Sequence, residues 1–284
     1  MKTIIVPVDF SKESLHGLEM ALLFGQKENS NIQMVYVQKS SKDFRPGTYE
    51  EEHKYAEAEL EKLVKKYSAG LSFDSKLRFI IKKGKIYQEI VEQAESYKES
   101  IIVASTHGAS GFEEYFIGSN AYKIITATKN AVLTVRKNPP KAVKKIVAPL
   151  RLHVDTRQKA PIAADLAQFF GAEVHLLAVS TTKNKKDLNR LNAYLKQSSD
   201  YLKRKGLKPI VKSLGGENSV TTVLNYCDAV DADLVTIMTS QRPNIAVLTG
   251  SYAQQIVSRS NCPVLSITAK EKHIPSGFAT RGYR

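Results

Sequence analysis

The stretch that decides the fold occurs twice: residues 4–9 read IIVPVD and residues 146–151 read IVAPLR, a short apolar run with a proline in the same place. The same series of features follows each run. A helical pattern comes next, over residues 14–24 in the first half and 160–170 in the second, closed by Gly25 or Gly171. A second apolar run, QMVYV at 33–37 and HLLAV at 175–179, keeps the separation of 142 residues set by Pro7 and Pro149. Further on the separation becomes 132, through Gly84 and Gly216, residues 101–103 and 233–235, Gly118 and Gly250, and Val132 and Val264. Self-similarity at a fixed spacing marks a duplicated unit. The change of spacing falls where the first half is longer, and there residues 50–67, EEEHKYAEAELEKLVKKY, predict a charged amphipathic helix.

Each copy thus reads as short Val/Ile-rich runs alternating with helices, ending in strand, loop, helix and strand. Near-continuous apolar runs of this kind are strands covered on both faces, which parallel sheets require. The predicted fold class is α/β: two tandem, doubly wound, open parallel-sheet domains. Asn138-Pro139-Pro140-Lys141 reads as an extended connector, because each proline disfavours helix in the residue before it. The expected units are residues 1–138, residues 141–270, and a polar, basic tail over 271–284 expected to be disordered.

The chain has 284 residues, 42% of them apolar and 25% charged, with a mean hydropathy of −0.28. That balance excludes a chain too polar to fold, and its apolar runs are too interrupted to span a membrane. The N-terminus carries no secretory pattern, and Cys227 and Cys262 provide neither a disulfide framework nor a C-x-x-C pair, so a reducing cytoplasm is the expected compartment. The net charge of +14 is uneven. Residues 1–140 hold 20 Lys and Arg against 18 Asp and Glu, whereas residues 141–284 hold 22 against 10. The excess serves either solubility or an anionic partner of the second half. Nucleic acid is disfavoured as that partner, because KNKKDLNR and YLKRKGLK flank helices and bring one Tyr each.

In open α/β sheets, ligands bind beyond the carboxyl ends of the strands, where the strand order reverses. In the first copy that search finds Pro7, Val8 and Asp9 after the first run, Val37 after the second, and Ser105 through Asn120 after the fourth. Gly108 permits a sharp turn, and Gly118 and Ser119 open a helix with free N–H groups and a hydroxyl, a phosphate cradle in outline. Each feature also has a plain use: Asp9 or Ser119 could simply cap a helix. Their conjunction at one set of strand ends favours a pocket. Neither a Walker loop nor a G-x-G-x-x-G turn is present, and G-x-S-x-G is absent. The six histidines, 16, 53, 107, 153, 175 and 273, lack metal-ligand spacing, so no metal site is expected.

With these residues in place, IIVPVDFS, IIVASTHGASGFEEYFIGSNAYKII and NAVLTVRK resemble the universal stress protein family, and the second copy repeats the layout through NCPVLSIT. The family's ATP-binding members carry G-x2-G-x9-G-S/T; here Ser105-x2-Gly108-x9-Gly118-Ser119 matches it apart from the first glycine. The resemblance implies that ATP or another adenine nucleotide is the cofactor, with Mg as its optional companion. Pro7, Val8, Asp9 and Val37 would border adenine or ribose; Gly108, Gly118, Ser119 and Asn120 would hold the phosphates, with Ser105 and His107 beside them. It also implies an intramolecular pseudo-dimer joined through the last strands, NAVLTV and CPVLSI, a form that leaves further homodimerisation open. The role implied is a cytoplasmic stress-response regulator that binds rather than turns over its nucleotide, acting on an unidentified protein partner.

The second copy departs from this pattern. Arg151 stands at the place of Asp9, and Ser240-Gln241-Arg242-Pro243 replaces the glycine-bearing turn, leaving Gly250-Ser251. Asp155 reads as a helix cap. No adenine nucleotide is expected there, although Arg151 and Arg242 suit a different anion. Two rival readings remain: a weak ATPase, and a nucleotide-free scaffold whose basic second half meets an acidic partner.

Overall fold

The structure, a computed structural model, describes residues 3–27, 29–39, 48–106, 118–152, 154–239 and 252–268. The first copy comprises β1 (Thr3–Pro7), α1 (Lys12–Gly25), β2 (Asn31–Lys39), α2 (Thr48–Ser68), β3 (Lys76–Gly84), α3 (Ile86–Glu95), β4 (Ser100–Ser105), α4 (Ser119–Ala127) and β5 (Ala131–Val135). The second comprises β6 (Lys145–Leu150), a 3-10 turn at Val154–Gln158, α5 (Lys159–Phe170), β7 (Glu173–Ser180), α6 (Lys185–Arg204), β8 (Ile210–Gly215), α7 (Ser219–Ala229), β9 (Leu234–Thr239), α8 (Tyr252–Arg259) and β10 (Val264–Thr268). Among the described residues, no helix is long and apolar enough to cross a membrane.

The strands form one ten-stranded sheet in the order β3-β2-β1-β4-β5-β10-β9-β6-β7-β8. Within each copy every pairing is parallel; the copies meet through antiparallel β5 and β10, with Leu133 opposite Leu265. The last strands therefore pair as the family resemblance implies. An apolar edge strand left open invites association, and here each covers the other. Thr134 Oγ1 adds a 3.2 Å hydrogen bond to the Val264 carbonyl across that seam.

The alternating pattern of the strands buries a core on each face. Leu133, Leu265 and Phe24 belong to the core under α1, α2, α5 and α6; Val132, Val264, Ile90 and Ile256 belong to the core under α3, α4, α7 and α8. On the first face Phe24 of α1 meets Phe169 and Phe170 of α5, with ring centroids 5.7 and 4.9 Å apart, so the two copies also touch through helices.

The register corrects one detail of the repeat. Ile4 pairs with Ile101 and Ile146 pairs with Leu234, so Leu234, not Asp233, is the counterpart of Ile101. A one-residue slip inverts the faces of a strand, and the two copies need the same face buried. The additional residue is taken up between β8 and α7: Gly84 still matches Gly216, whereas the caps Lys85 and Asn218 and the buried Ile90 and Val223 are already 133 apart.

Candidate functional site

A crevice forms in each copy because two central strands part. β1 and β4 pair only as far as Ile5 with Ile102, although β1 continues beside β2 to Pro7 and β4 beside β5 to Ser105. β6 and β9 stop likewise at Val147 with Val235, while their outer pairings run on to Leu150 and Thr239. Both openings lie at the carboxyl ends of the strands where the order reverses. Because the halves run antiparallel to each other, the two crevices open at opposite ends of the sheet.

In the first copy, the chain leaves β1 through Val8, buried at 3% exposure, whose N–H donates to the Val35 carbonyl over 3.0 Å. Val8 therefore floors the crevice with its backbone and sends its side chain into the core. Asp9 is exposed at the rim. Its Oδ1 accepts from Ser11 N at 3.1 Å and from Ser11 Oγ at 2.5 Å, and Ser11 itself caps α1 by accepting from Ser14 N. The cap is Ser11, and Asp9 fixes the cap. A carboxylate anchored in this way is a positioned acceptor.

Phe10 turns the chain between them at a φ of 64°, a left-handed conformation that costs a residue with a Cβ on the order of 1–2 kcal/mol. Its ring stacks on Tyr36 at 5.1 Å and meets Tyr55 edge-on at 5.9 Å, which offsets that strain. Tyr36 donates to Glu52 Oε1 at 2.8 Å, and burial together with that carboxylate pushes its phenol pKa well upward. Buried Gln38 donates to the Tyr49 carbonyl and contacts His53, which ties α2 to the end of β2. Val37, half-buried on β2, sits between these two anchors.

On the β4 side, the Thr106 N–H continues the ladder to the Val135 carbonyl, and the Gly118 N–H donates to the Thr106 carbonyl at 2.6 Å. The strand end and the start of α4 are thereby clipped together. α4 begins at Ser119 on an N-cap glycine that supplies no side-chain cap, as α3 and α5 also lack one, whereas α1, α6 and α7 are capped by Ser11, Asn184 and Asn218. The first-turn amides of an uncapped helix are orphan donors at the positive end of the helix dipole, which is the donor set that a phosphate requires. Ser119 is exposed and Asn120 half-buried at that end. Pro7, Val8, Asp9, Ser105, Gly118, Ser119 and Asn120 thus lie at the ends of β1 and β4 and the start of α4, while Val37 lies inside β2, paired with Lys82; His107 and Gly108 lie outside the described residues.

Gly17 is a site residue that the motif does not announce. A Cβ on it would stand 3.3 Å from the Ser105 nitrogen and 3.5 Å from the Ala104 carbonyl carbon, so α1 lies directly against the end of β4. A glycine in a helix pattern is the available signal, read as a close backbone approach.

The second crevice has different walls. The Arg151 N–H donates to Thr156 Oγ1 at 3.1 Å, matching the 3.3 Å bond from Asp9 N to Ser14 Oγ. Three residues past those hydroxyls stand Lys159 and Gly17. Lys159 is buried at 3% exposure, and the Arg151 guanidinium lies 3.7 Å from the Tyr252 ring centroid. Ser240, Gln241, Arg242, Pro243, Gly250, Ser251 and the side chain of Asp155 lie outside the described residues. Elsewhere His175 is held between Tyr226 at 2.8 Å and Glu173 at 2.7 Å, a structural role.

Comparison with known proteins agrees with this geometry. The profile of the universal stress protein family matches residues 1–136 and again 142–267. A universal stress protein from Methanocaldococcus jannaschii is 26% identical over 146 residues, covering 48% of this chain and 82% of the relative. Among solved structures, a universal stress protein from Archaeoglobus fulgidus superposes with a TM-score of 0.79 at 19% identity, covering 94% of this chain and 98% of its own. One from Pseudomonas aeruginosa, described as a putative universal stress protein, gives a TM-score of 0.66 at 16% identity over 95% of this chain and 94% of its own. The duplicated profile and the doubly wound sheet together establish that this chain belongs to the universal stress protein family, as a tandem two-domain member.

Proposed function

We propose that the chain is a stress-response regulator that binds ATP, or another adenine nucleotide, in the first copy alone. The carrying observation is the uncapped amino end of α4, clipped by Gly118 to the end of β4 beside the parting of β1 and β4. Those amides suit phosphate oxygens, Ser119 and Asn120 adding their side chains. Asp9 would accept from ribose hydroxyls or the adenine amine, and Val37 offers an apolar edge to the base. A nucleotide's phosphates would bring Mg with them, and no protein ligand for it is needed in this reading. With its oxygen committed to Ser11, Asp9 serves as an anchor in place of a base for water, so the reading is binding without turnover.

Calorimetric titration of ATP into the wild type, Asp9→Ala and Gly118→Val tests this. The wild type binds, and each variant loses tenfold or more in affinity, since a hydrogen bond to a charged group contributes about 1.5–3 kcal/mol. Equal affinity in all three proteins overturns the assignment, and sustained phosphate release points to the ATPase.

A second reading, an acidic partner on the basic second half, has one observation in its favour. A cavity of about 320 Å³ between the start of α5 and α6 is lined by Arg157, Gln197, Ser198, Tyr201 and Arg204. The Ser198 hydroxyl there is buried without a partner. A salt-sensitive complex that Arg204→Glu abolishes would establish it.

A further inference from the structure

The second crevice holds a buried lysine and a guanidinium that acts on it through charge. Lys159, first residue of α5, is buried beside Arg151, and the repulsion between them together with burial pushes the Lys159 pKa from its ordinary 10.5 down to about 7. Burial lowers Arg151 as well. Among the described residues neither forms an ion pair with a carboxylate. The third group is Tyr252, at the first position of α8, whose hydroxyl is buried with no hydrogen-bond partner while its ring carries the Arg151 guanidinium. A buried cation without a counter-charge, and a buried hydroxyl without a partner, are each unfavourable. Arg151, which lies over the Tyr252 ring and whose charge acts on Lys159, links the three groups, and they share one remedy: an anion that accepts from them.

We propose that the second crevice is an anion site in which Arg151, Lys159 and the Tyr252 hydroxyl hold a phosphate group. A tetrahedral oxyanion presents oxygens to donors arriving from the end of β6, from α5 and from α8, whereas a carboxylate offers two in one plane. Arg151 supplies the forked donor, Lys159 a point charge, Tyr252 a neutral donor. The amino end of the α8 dipole adds to the same field. The site depends on the second copy's own residues and stands whether or not the first copy binds a nucleotide.

The experiment titrates the full chain, in phosphate-free buffer, with inorganic phosphate and in a parallel arm with glycerol phosphate; acetate serves as the carboxylate control. Expected are phosphate binding to the wild type and affinity at least tenfold lower in Lys159→Met and in Tyr252→Phe. Stronger binding of glycerol phosphate assigns the site to phosphomonoesters; stronger binding of inorganic phosphate assigns it to the free ion. Lys159→Met should also raise the unliganded melting temperature while weakening phosphate, a pairing that a merely structural lysine does not give. The proposal is overturned if the wild type binds neither phosphate, or if Tyr252→Phe and Lys159→Met bind as the wild type does.

Discussion

The two copies share a backbone plan and differ at the same corner of their crevices. In each, a strand-end N–H donates to a hydroxyl five residues on, Asp9 to Ser14 and Arg151 to Thr156. The first copy then sets a carboxylate at the rim and a glycine against β4; the second sets a guanidinium and a buried lysine in their places. The sheet tolerates either set because both corners lie beyond the last paired residues of the parting strands. What separates the copies is therefore the sign of the charge at this corner, an acidic acceptor in the first and basic donors in the second.

The largest expected effect concerns whether the copies are separate at all. Phe24 is buried and packs on Phe169 and Phe170, so Phe24→Ala should cost about 3–5 kcal/mol. Denaturant unfolding should show one cooperative transition moved as a whole; two transitions, with one unmoved, would show that the copies fold independently. Lys159→Met comes next, with a stabilisation on the order of 3 kcal/mol at pH 7, because an uncompensated buried cation is removed. The sign follows from linkage. The folded pKa is depressed to about 7, so between there and 10.5 the unfolded chain holds the proton that the folded chain has lost. Wild-type stability should rise with pH across that window, and the variant should lose that rise. An identical pH profile would place Lys159 outside the buried charge pair.

Gly17→Ala is the counterpart in the first copy. Its Cβ, 3.3 Å from the Ser105 nitrogen, should force α1 away from β4 at a cost of about 1–3 kcal/mol and weaken ATP. Stability and affinity equal to the wild type would show that the contact yields without consequence. Ser11→Ala is the mildest. Losing the α1 cap should cost about 1 kcal/mol, and freeing Asp9 should lower ATP affinity severalfold in calorimetry; an unchanged affinity would mean that Asp9 needs no anchor.

The fold was legible because repetition doubled every signal. The IIVPVD and IVAPLR runs and the helical pattern of α2 follow from apolar periodicity and from the repeat itself, whereas the pairing of the last strands comes from the family resemblance. The register slip at β9 was not, since a one-residue insertion between Gly216 and Asn218 leaves every apolar run intact. Asp9 and Gly118 stand at strand and helix ends that a pattern can locate, whereas Val37, expected after the second strand, lies inside β2 and pairs with Lys82. Ser11 as the true cap, the strained Phe10 and its stacking on Tyr36 were hidden, because they depend on which hydroxyl and which ring the tertiary fold brings near. Lys159 was hidden most completely. A lysine at a helix start reads as solvated, and only packing against Arg151 and the end of β6 shows it to be buried.

The most direct test of the account counts nucleotides. Native mass spectrometry of the full chain with ATP should show one adenine nucleotide per chain, lost in Gly118→Val and retained in Tyr252→Phe. Two nucleotides per chain, none, or one that survives Gly118→Val and disappears in Tyr252→Phe would contradict it.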